Sequence, residues 1–308
     1  MAQVRIKRHP VDGVLLLDKP RGISANGALR RVQYLLRAQK AGHGGTLDPL
    51  ASGLLPLCFG QASKFSKYWL QADKTYQVRA QLGVTTDTLD SEGQVLERRA
   101  VTSLQALEVQ QLLANEFSGP LRQLPPLYSA LKHQGRPLYE LARQGIADEA
   151  MLEAKWRSIE VYRAQLLAKG DDWLDIEFSV SKGTYIRSLV RDLGEMLGCG
   201  AHITSLRRLS HGPFAIQQSV EMPGPELDLD SGVLKASLLP VNFGLQLAKL
   251  NLDLTQAQYL MQGRLLPELQ GDALVQCFYQ QQFLGVAKLT AQGLKPDRLL
   301  QPETVCLS

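Results

Sequence analysis

Apolar and polar positions alternate in blocks along this chain, and the blocks predict both strands and helices. Gly13–Leu17 is a short unbroken apolar run closed by Asp18-Lys19-Pro20, the pattern of a buried strand ending in a turn. Ser24 offers an N-cap for a helix running to about Gln39, with Leu29, Val32, Leu35 and Leu36 on one face and Arg30, Arg31 and Arg37 elsewhere. A Gly-rich loop follows, then the apolar run Leu54–Phe59. Residues 74–82 alternate strictly: Tyr76, Val78, Ala80 and Leu82 share one side of a half-buried strand. Asp90-Ser91-Glu92-Gly93 reads as a turn and Gln94–Arg98 as a return strand. Residues 103–116 read as a helix and 118–126, rich in Pro and Gly, as a loop. Alternation resumes at 172–180 with Leu174, Ile176, Phe178 and Val180 inward. Gly183-Thr184 breaks that strand. A helix from Tyr185 to Leu197 follows, with Ile186, Val190, Leu193 and Leu197 as its stripe and Arg187 and Arg191 on another face. Residues 221–245, rich in Pro, Gly and Asp, mark a boundary. Beyond it stand a helix near Thr255–Gln262 and several strand-like runs. Strands and helices mix without strict βαβ alternation. The expected fold class is therefore α+β, a mainly antiparallel mixed sheet flanked by helices, with domains at 1–245 and 246–308, the second small and β-rich.

Composition narrows this to a globular chain. The 308 residues are 44% hydrophobic and 21% charged. No apolar stretch approaches the roughly 20 residues that span a bilayer, and the N-terminus lacks the apolar core of a secretory signal. Cys58, Cys199, Cys277 and Cys306 are scattered, without a CxxC pair, which suits a reducing cytoplasm. Cys199 and His202 lack a second close pair, so no metal site is expected. Charge is uneven: residues 1–40 hold nine Lys/Arg and two acids, a net of +7, against +4 for the whole chain. A basic face suits an anionic partner such as nucleic acid, and equally a merely solvated surface.

The segment Gly42-His43-Gly44-Gly45-Thr46-Leu47-Asp48-Pro49 sets one acid in an otherwise uncharged, Gly-rich loop. Asp-Pro among glycines is a common turn, and from the residues alone that reading leads. The same glycines would let a ligand approach closely, and a carboxylate with few charged neighbours can act as a nucleophile. The loop lacks the Gly-Lys-Ser/Thr ending of a P-loop.

Ala41–Pro56 resembles the catalytic motif of the TruB family of tRNA pseudouridine-55 synthases. Val11–Pro20 resembles that family's Lys-Pro motif, Lys74-Thr75-Tyr76 its tyrosine-bearing strand, Ser181–Arg187 its arginine motif, and Leu206-Arg207-Arg208 the motif after it. The ordered set covers about residues 10–215, and the C-terminal segment resembles the family's PUA-like domain more weakly. Gly44 departs from the pattern, standing where many relatives carry a larger polar residue, often Thr, and a glycine there could loosen the loop.

The resemblance implies a pseudouridine synthase fold and a cytoplasmic, monomeric enzyme. It would isomerise uridine 55 in the T-arm of tRNA, with no cofactor, no metal and no membrane. It makes Asp48 the essential carboxylate, leaving open attack on C1′, glycal formation or addition to C6 of the base. It pairs Arg187 with that acid, where the residue alone reads as an exposed arginine at a helix start. It stacks Tyr76, otherwise a core aromatic, on the target uracil, where its hydroxyl could assist proton removal. Tyr185 and Leu206, otherwise packing residues, would line the uracil pocket. His43, otherwise a loop histidine, would help flip the base by filling its place. Lys19 and Pro20 would support the wall behind the tyrosine. Two other readings are a non-catalytic RNA-binding protein on the same scaffold and an unrelated hydrolase with an aspartate nucleophile. The intact set of Asp48, Tyr76 and Arg187 speaks against the first, and the lack of a second acid in the motif against the other.

Overall fold

The computed structural model of the chain describes residues 7–147, 149–223 and 231–305. Arg5, Cys306 and positions 224–230 of the Pro-, Gly- and Asp-rich stretch lie outside these residues. The strands, in chain order, are β1 Gly13–Lys19, β2 Ala41–His43, β3 Ser52–Phe59, β4 Lys74–Leu82, β5 Val84–Thr86, β6 Val95–Arg98, β7 Gly119–Gln123, β8 Lys132–His133, β9 Arg136–Pro137, β10 Arg157–Lys169, β11 Trp173–Val180, β12 Ala201–His211, β13 Phe214–Ala215 and β14 Val220–Glu221. A second group comprises β15 Ala248–Leu252, β16 Ala273–Tyr279, β17 Gln282–Thr290 and β18 Gly293–Leu299.

One large sheet runs β14-β1-β3-β12-β4-β11-β10-β7, with β2 and β13 paired at its margins. Its pairings are antiparallel except β1 with β14 and β3 with β12, so the mainly antiparallel mixed sheet expected of the α+β class is observed. The unbroken apolar run in β1 has its reason here, because both faces are covered. Leu15 and Leu17 enter the main core with helices Ala25–Leu35 and Ile186–Met196, whereas Val14 and Leu16 face a second core. That second core also takes Phe65 and Trp69, Phe214, and Phe278, Phe283 and Val286 of the C-terminal sheet β15-β16-β17-β18. The junction is further tied by Lys67 Nζ to Asp297 at 2.5 Å and by the Tyr68 hydroxyl donating to the same carboxylate. Among the described residues no helix is long and apolar enough to cross a membrane.

Several boundaries differ from those the pattern predicts. Ser24 caps the first helix through Gly27 N at 3.0 Å, but the helix ends at Leu35 and not near Gln39. Arg37 turns left-handed at φ 51°, and the chain reverses to bridge Ala38 with His9. The predicted loop at 118–126 contains β7, an edge strand bonded only to β10, where Pro120 is tolerated because one side of an edge needs no N–H donor. The long strand β10, to which the pattern assigns no element, carries two irregularities against β11 that interrupt its alternation. β6 pairs with the short β5 and is exposed throughout.

Candidate active site

The loop between β2 and β3 is held from several directions. Leu47 and Leu50 are buried in the main core on either side of Asp48, which stays 39% exposed. Ala51 N donates to the Asp48 carbonyl at 3.1 Å, closing a turn, and Gly22 N donates to Pro49 O at 2.8 Å. The turn expected of Asp-Pro is present in the backbone, and it leaves the Asp48 side chain available for a separate contact, with Arg187.

Arg187 is not the exposed residue its position at a helix start suggests. Its side chain is 6% exposed, and Nη2 lies 2.9 Å from the Asp48 carboxylate. The guanidinium is fixed from behind, donating through Nη1 to Thr88 O at 3.0 Å and through Nη2 to Tyr128 O at 3.1 Å. Nη1 also lies 3.7 Å from Asp90 Oδ2. Asp90 is buried, and its Oδ1 accepts from Thr88 Oγ1 at 2.6 Å and Glu92 N at 3.0 Å. One planar cation thus serves two carboxylates and two carbonyls, a geometry suited to a guanidinium and not to an ammonium.

Tyr76 sits on the buried face of β4, opposite Phe178 of β11 and Arg208 of β12. Leu206 is buried two positions from Arg208 on β12, opposite Val78. Tyr185 caps helix Ile186–Met196, and its backbone is clamped by the buried Gln123, whose Oε1 accepts from Tyr185 N at 2.8 Å and whose Nε2 donates to Tyr185 O at 3.0 Å. Arg157 lies 5.3 Å over the Tyr185 ring, and burial raises the pKa of that phenol. His43 closes β2; burial and the nearby Arg208 charge lower its pKa, and its Nδ1 has no hydrogen-bond partner among the described residues. Lys19 is fully buried, donating to Pro20 O at 2.8 Å and Ile23 O at 2.6 Å. Burial lowers its pKa to about 8 while Asp48 pulls the other way, so it remains a cation at neutral pH. Pro20 is exposed and takes part through its carbonyl.

The departure at Gly44 leaves the loop tied, since its amide donates to Pro56 O at 2.8 Å. A Cβ there would meet Pro56 and Trp69 at 3.6 Å, ordinary contact. Gly53 is different: at φ +101° its missing Cβ would lie 2.4 Å from the Arg208 carbonyl oxygen. Only glycine lets β3 and β12 approach at this point.

Two residues to which the sequence reading assigns no role at the site belong to this framework. Asp90 reads in sequence as a turn residue. Arg208 is buried beneath the loop, its Nε donating to Leu54 O at 2.7 Å and its Nη1 to Thr46 O at 3.2 Å. The signal for Arg208 lies in strand alternation, because it stands two positions from the inward Leu206, whereas Arg207 points outward to a two-pronged pair with Asp18 at 3.0 and 2.6 Å. Nothing in the local sequence marks Asp90. Among the described residues no cluster of three His, Cys, Asp or Glu is arranged to hold a metal ion.

Comparison with known proteins places this geometry in context. Residues 33–186 match the profile of the TruB family pseudouridylate synthase N-terminal domain. Residues 187–246 match a tRNA pseudouridylate synthase B C-terminal domain, and 248–300 a pseudouridine synthase II TruB C-terminal domain. The chain is 46% identical to the tRNA pseudouridine synthase B of Ectopseudomonas mendocina (strain ymp), covering 97% of this chain and 99% of that one. It is 47% identical to the protein of the same name from Chromohalobacter salexigens, over 96% of each. Among solved structures it resembles a chain in a Cbf5–Nop10–Gar1 complex, with a TM-score of 0.70 at 24% identity over 94% of this chain and 86% of that one. That likeness concerns the fold.

Proposed function

The chain belongs to the TruB family of pseudouridine synthases, and on that premise we propose that it converts uridine 55 in the T-loop of tRNA to pseudouridine, with Asp48 as its one essential carboxylate. The observation that carries this reading is the Asp48 carboxylate, exposed at the loop and held 2.9 Å from a buried Arg187. Arg187 opposes its charge and fixes its direction.

The reaction breaks N1–C1′, turns the uracil and joins C5 to C1′; the C5 proton leaves as N1 gains one. Atoms and electrons balance without a donor or oxidant, so the chemistry asks for no cofactor. Each route open to Asp48 begins from the same need, a carboxylate delivered to a nucleotide already out of its stack. Tyr76 serves as the platform for that base, with Leu206 and Tyr185 lining the pocket. The clamp from Gln123 supports the assignment of Tyr185, because it fixes the ring's backbone from behind. His43, half-buried at the edge of the loop with its pKa lowered by burial and by the Arg208 charge, fills the space the base leaves. Lys19 and Pro20 hold the neighbouring turn. In this reading residues 1–245 are the catalytic domain of a cytoplasmic, monomeric enzyme and 246–308 a PUA-like module. Residues 246–308 carry five Lys/Arg against five acids, so that module supplies no strong field for phosphate.

The test is position-resolved pseudouridine mapping on a tRNA transcript incubated with the wild type and with Asp48→Asn. The wild type is expected to convert uridine 55 without added cofactor. The variant is expected to bind the transcript and convert none. Turnover by the variant removes Asp48 from the chemistry, and binding without conversion by the wild type leaves the non-catalytic RNA-binding reading.

A further inference from the structure

Beside the site described above stands a set of cations that the chemistry does not use. Lys74 opens β4 and, by strand alternation, shares the face of Tyr76, about 7 Å along the strand at roughly 3.3 Å per residue. Its Nζ donates to the carbonyls of Leu70, at 3.3 Å, and Ala72. Lys182 follows the end of β11, whose Val180 pairs with Lys74, and its Nζ donates to Gln71 Oε1. The two ammonium groups therefore converge on one turn, Leu70-Gln71-Ala72. Among the described residues neither forms an ion pair. Asp73 is the nearest acid by sequence, and its Oδ1 accepts from the Tyr162 hydroxyl at 3.2 Å. Beneath them Arg208, also without a carboxylate, keeps a buried Nη2 that has no partner among the described residues.

Three cations gathered with no carboxylate in ion-pair contact among the described residues cost free energy in the unbound protein unless an anion completes the set. We propose that Lys74 and Lys182 form a phosphate subsite that grips the RNA backbone one step from the base platform of Tyr76. The proposal rests on the tRNA reading above and adds the point at which the backbone of the flipped nucleotide is held. The protonation of Lys74 agrees with it. Burial, then the charges of Arg208 and Lys182, lower its pKa to about 8 against the opposing pull of Asp73. His211, the other titratable group against it, is neutral at that pH. A phosphate would restore the charge, so binding takes up a proton near pH 8, and affinity falls as pH rises from 7 to 9.

The experiment measures the dissociation constant of a tRNA transcript against salt for the wild type, Lys74→Gln, Lys182→Gln and the double variant, each checked for folding by thermal melting. Lys169→Gln, at the opposite end of β10, is the control. Each of the two lysines is expected to reduce the slope of log K against log salt by about 0.7–0.9. That corresponds to roughly threefold less loss of affinity between about 50 and 200 mM salt per lysine removed. The control slope is expected to match the wild type. Lys74→Arg keeps a permanent charge, so it is expected to retain the slope while losing part of the fall in affinity above pH 7. Lys19, also near 8, contributes to that fall in both proteins, so the difference between them is the quantity read. A folded double variant with the wild-type slope overturns the subsite, as does a control that lowers the slope equally. A wild type that neither binds nor modifies the transcript instead overturns the tRNA reading itself.

Discussion

Replacing Arg187 by Met removes a buried cation from between two carboxylates and two carbonyls while roughly keeping the volume. Two charge-assisted hydrogen bonds go, to Thr88 O at 3.0 Å and Tyr128 O at 3.1 Å. Asp90, only 5% exposed, then keeps a charge that nothing beside it opposes. Breaking a buried pair from one side costs about 3–5 kcal/mol, and this is the expected loss in unfolding free energy. Asp90→Asn alone retains an oxygen for Thr88 and Glu92 and loses only the attraction across 3.7 Å, a cost of about 1 kcal/mol. In the double variant the stranded charge no longer exists, so the two losses should fall short of their sum by about 1–3 kcal/mol. Urea unfolding of the four proteins at neutral pH supplies the cycle. Losses that add to within about 0.5 kcal/mol refute the view that Arg187 is shared between these acids. Single-turnover pseudouridine formation by Arg187→Lys gives the functional counterpart. A point charge cannot span four acceptors, so Asp48 shifts, and the rate is expected to fall by about ten- to a hundredfold.

Gly44 in the loop and Gly53 in β3 should respond in opposite ways. Gly53→Ala forces a Cβ to within 2.4 Å of the Arg208 carbonyl oxygen at φ +101°, so its melting temperature and activity should both drop, whereas Gly44→Thr, with contacts at 3.6 Å, should leave both near wild type. Equal melting temperatures for the two variants would show that β3 and β12 can separate without cost. His211 is fully buried, and burial with the charges of Arg208 and Lys74 lowers its pKa from 6.5 to about 3. Below pH 6.5 the unfolded chain takes up a proton that the native one refuses, so stability falls with acidity. The wild type is expected to lose roughly 2 kcal/mol more than His211→Gln between about pH 7 and 5 in urea titrations, and equal losses would count against a neutral buried ring.

Much of the scaffold was legible in sequence because burial leaves a periodic mark on each element. The alternation in 74–82 gave β4 with its bounds, the stripe of Ile186, Val190 and Leu193 gave the helix behind Arg187, and Ser24 gave the cap of the first helix. The run in β1 carries the mark of burial on both faces because no polar position interrupts Gly13–Leu17. Family motifs in order then named Asp48, Tyr76, Tyr185, Arg187 and Leu206, which local chemistry alone left as a turn, a core ring and an exposed arginine. The tertiary structure decided what each of them faces. Register and crossover bring Thr88, Asp90 and Tyr128 around Arg187, lay Arg208 under Thr46 and Leu54, and send Lys74 and Lys182 to one turn. A sequence pattern records which side of its own strand or helix a residue occupies. It carries no record of which distant backbone will present a carbonyl or a carboxylate there, because that follows from strand pairing and packing across the whole sheet.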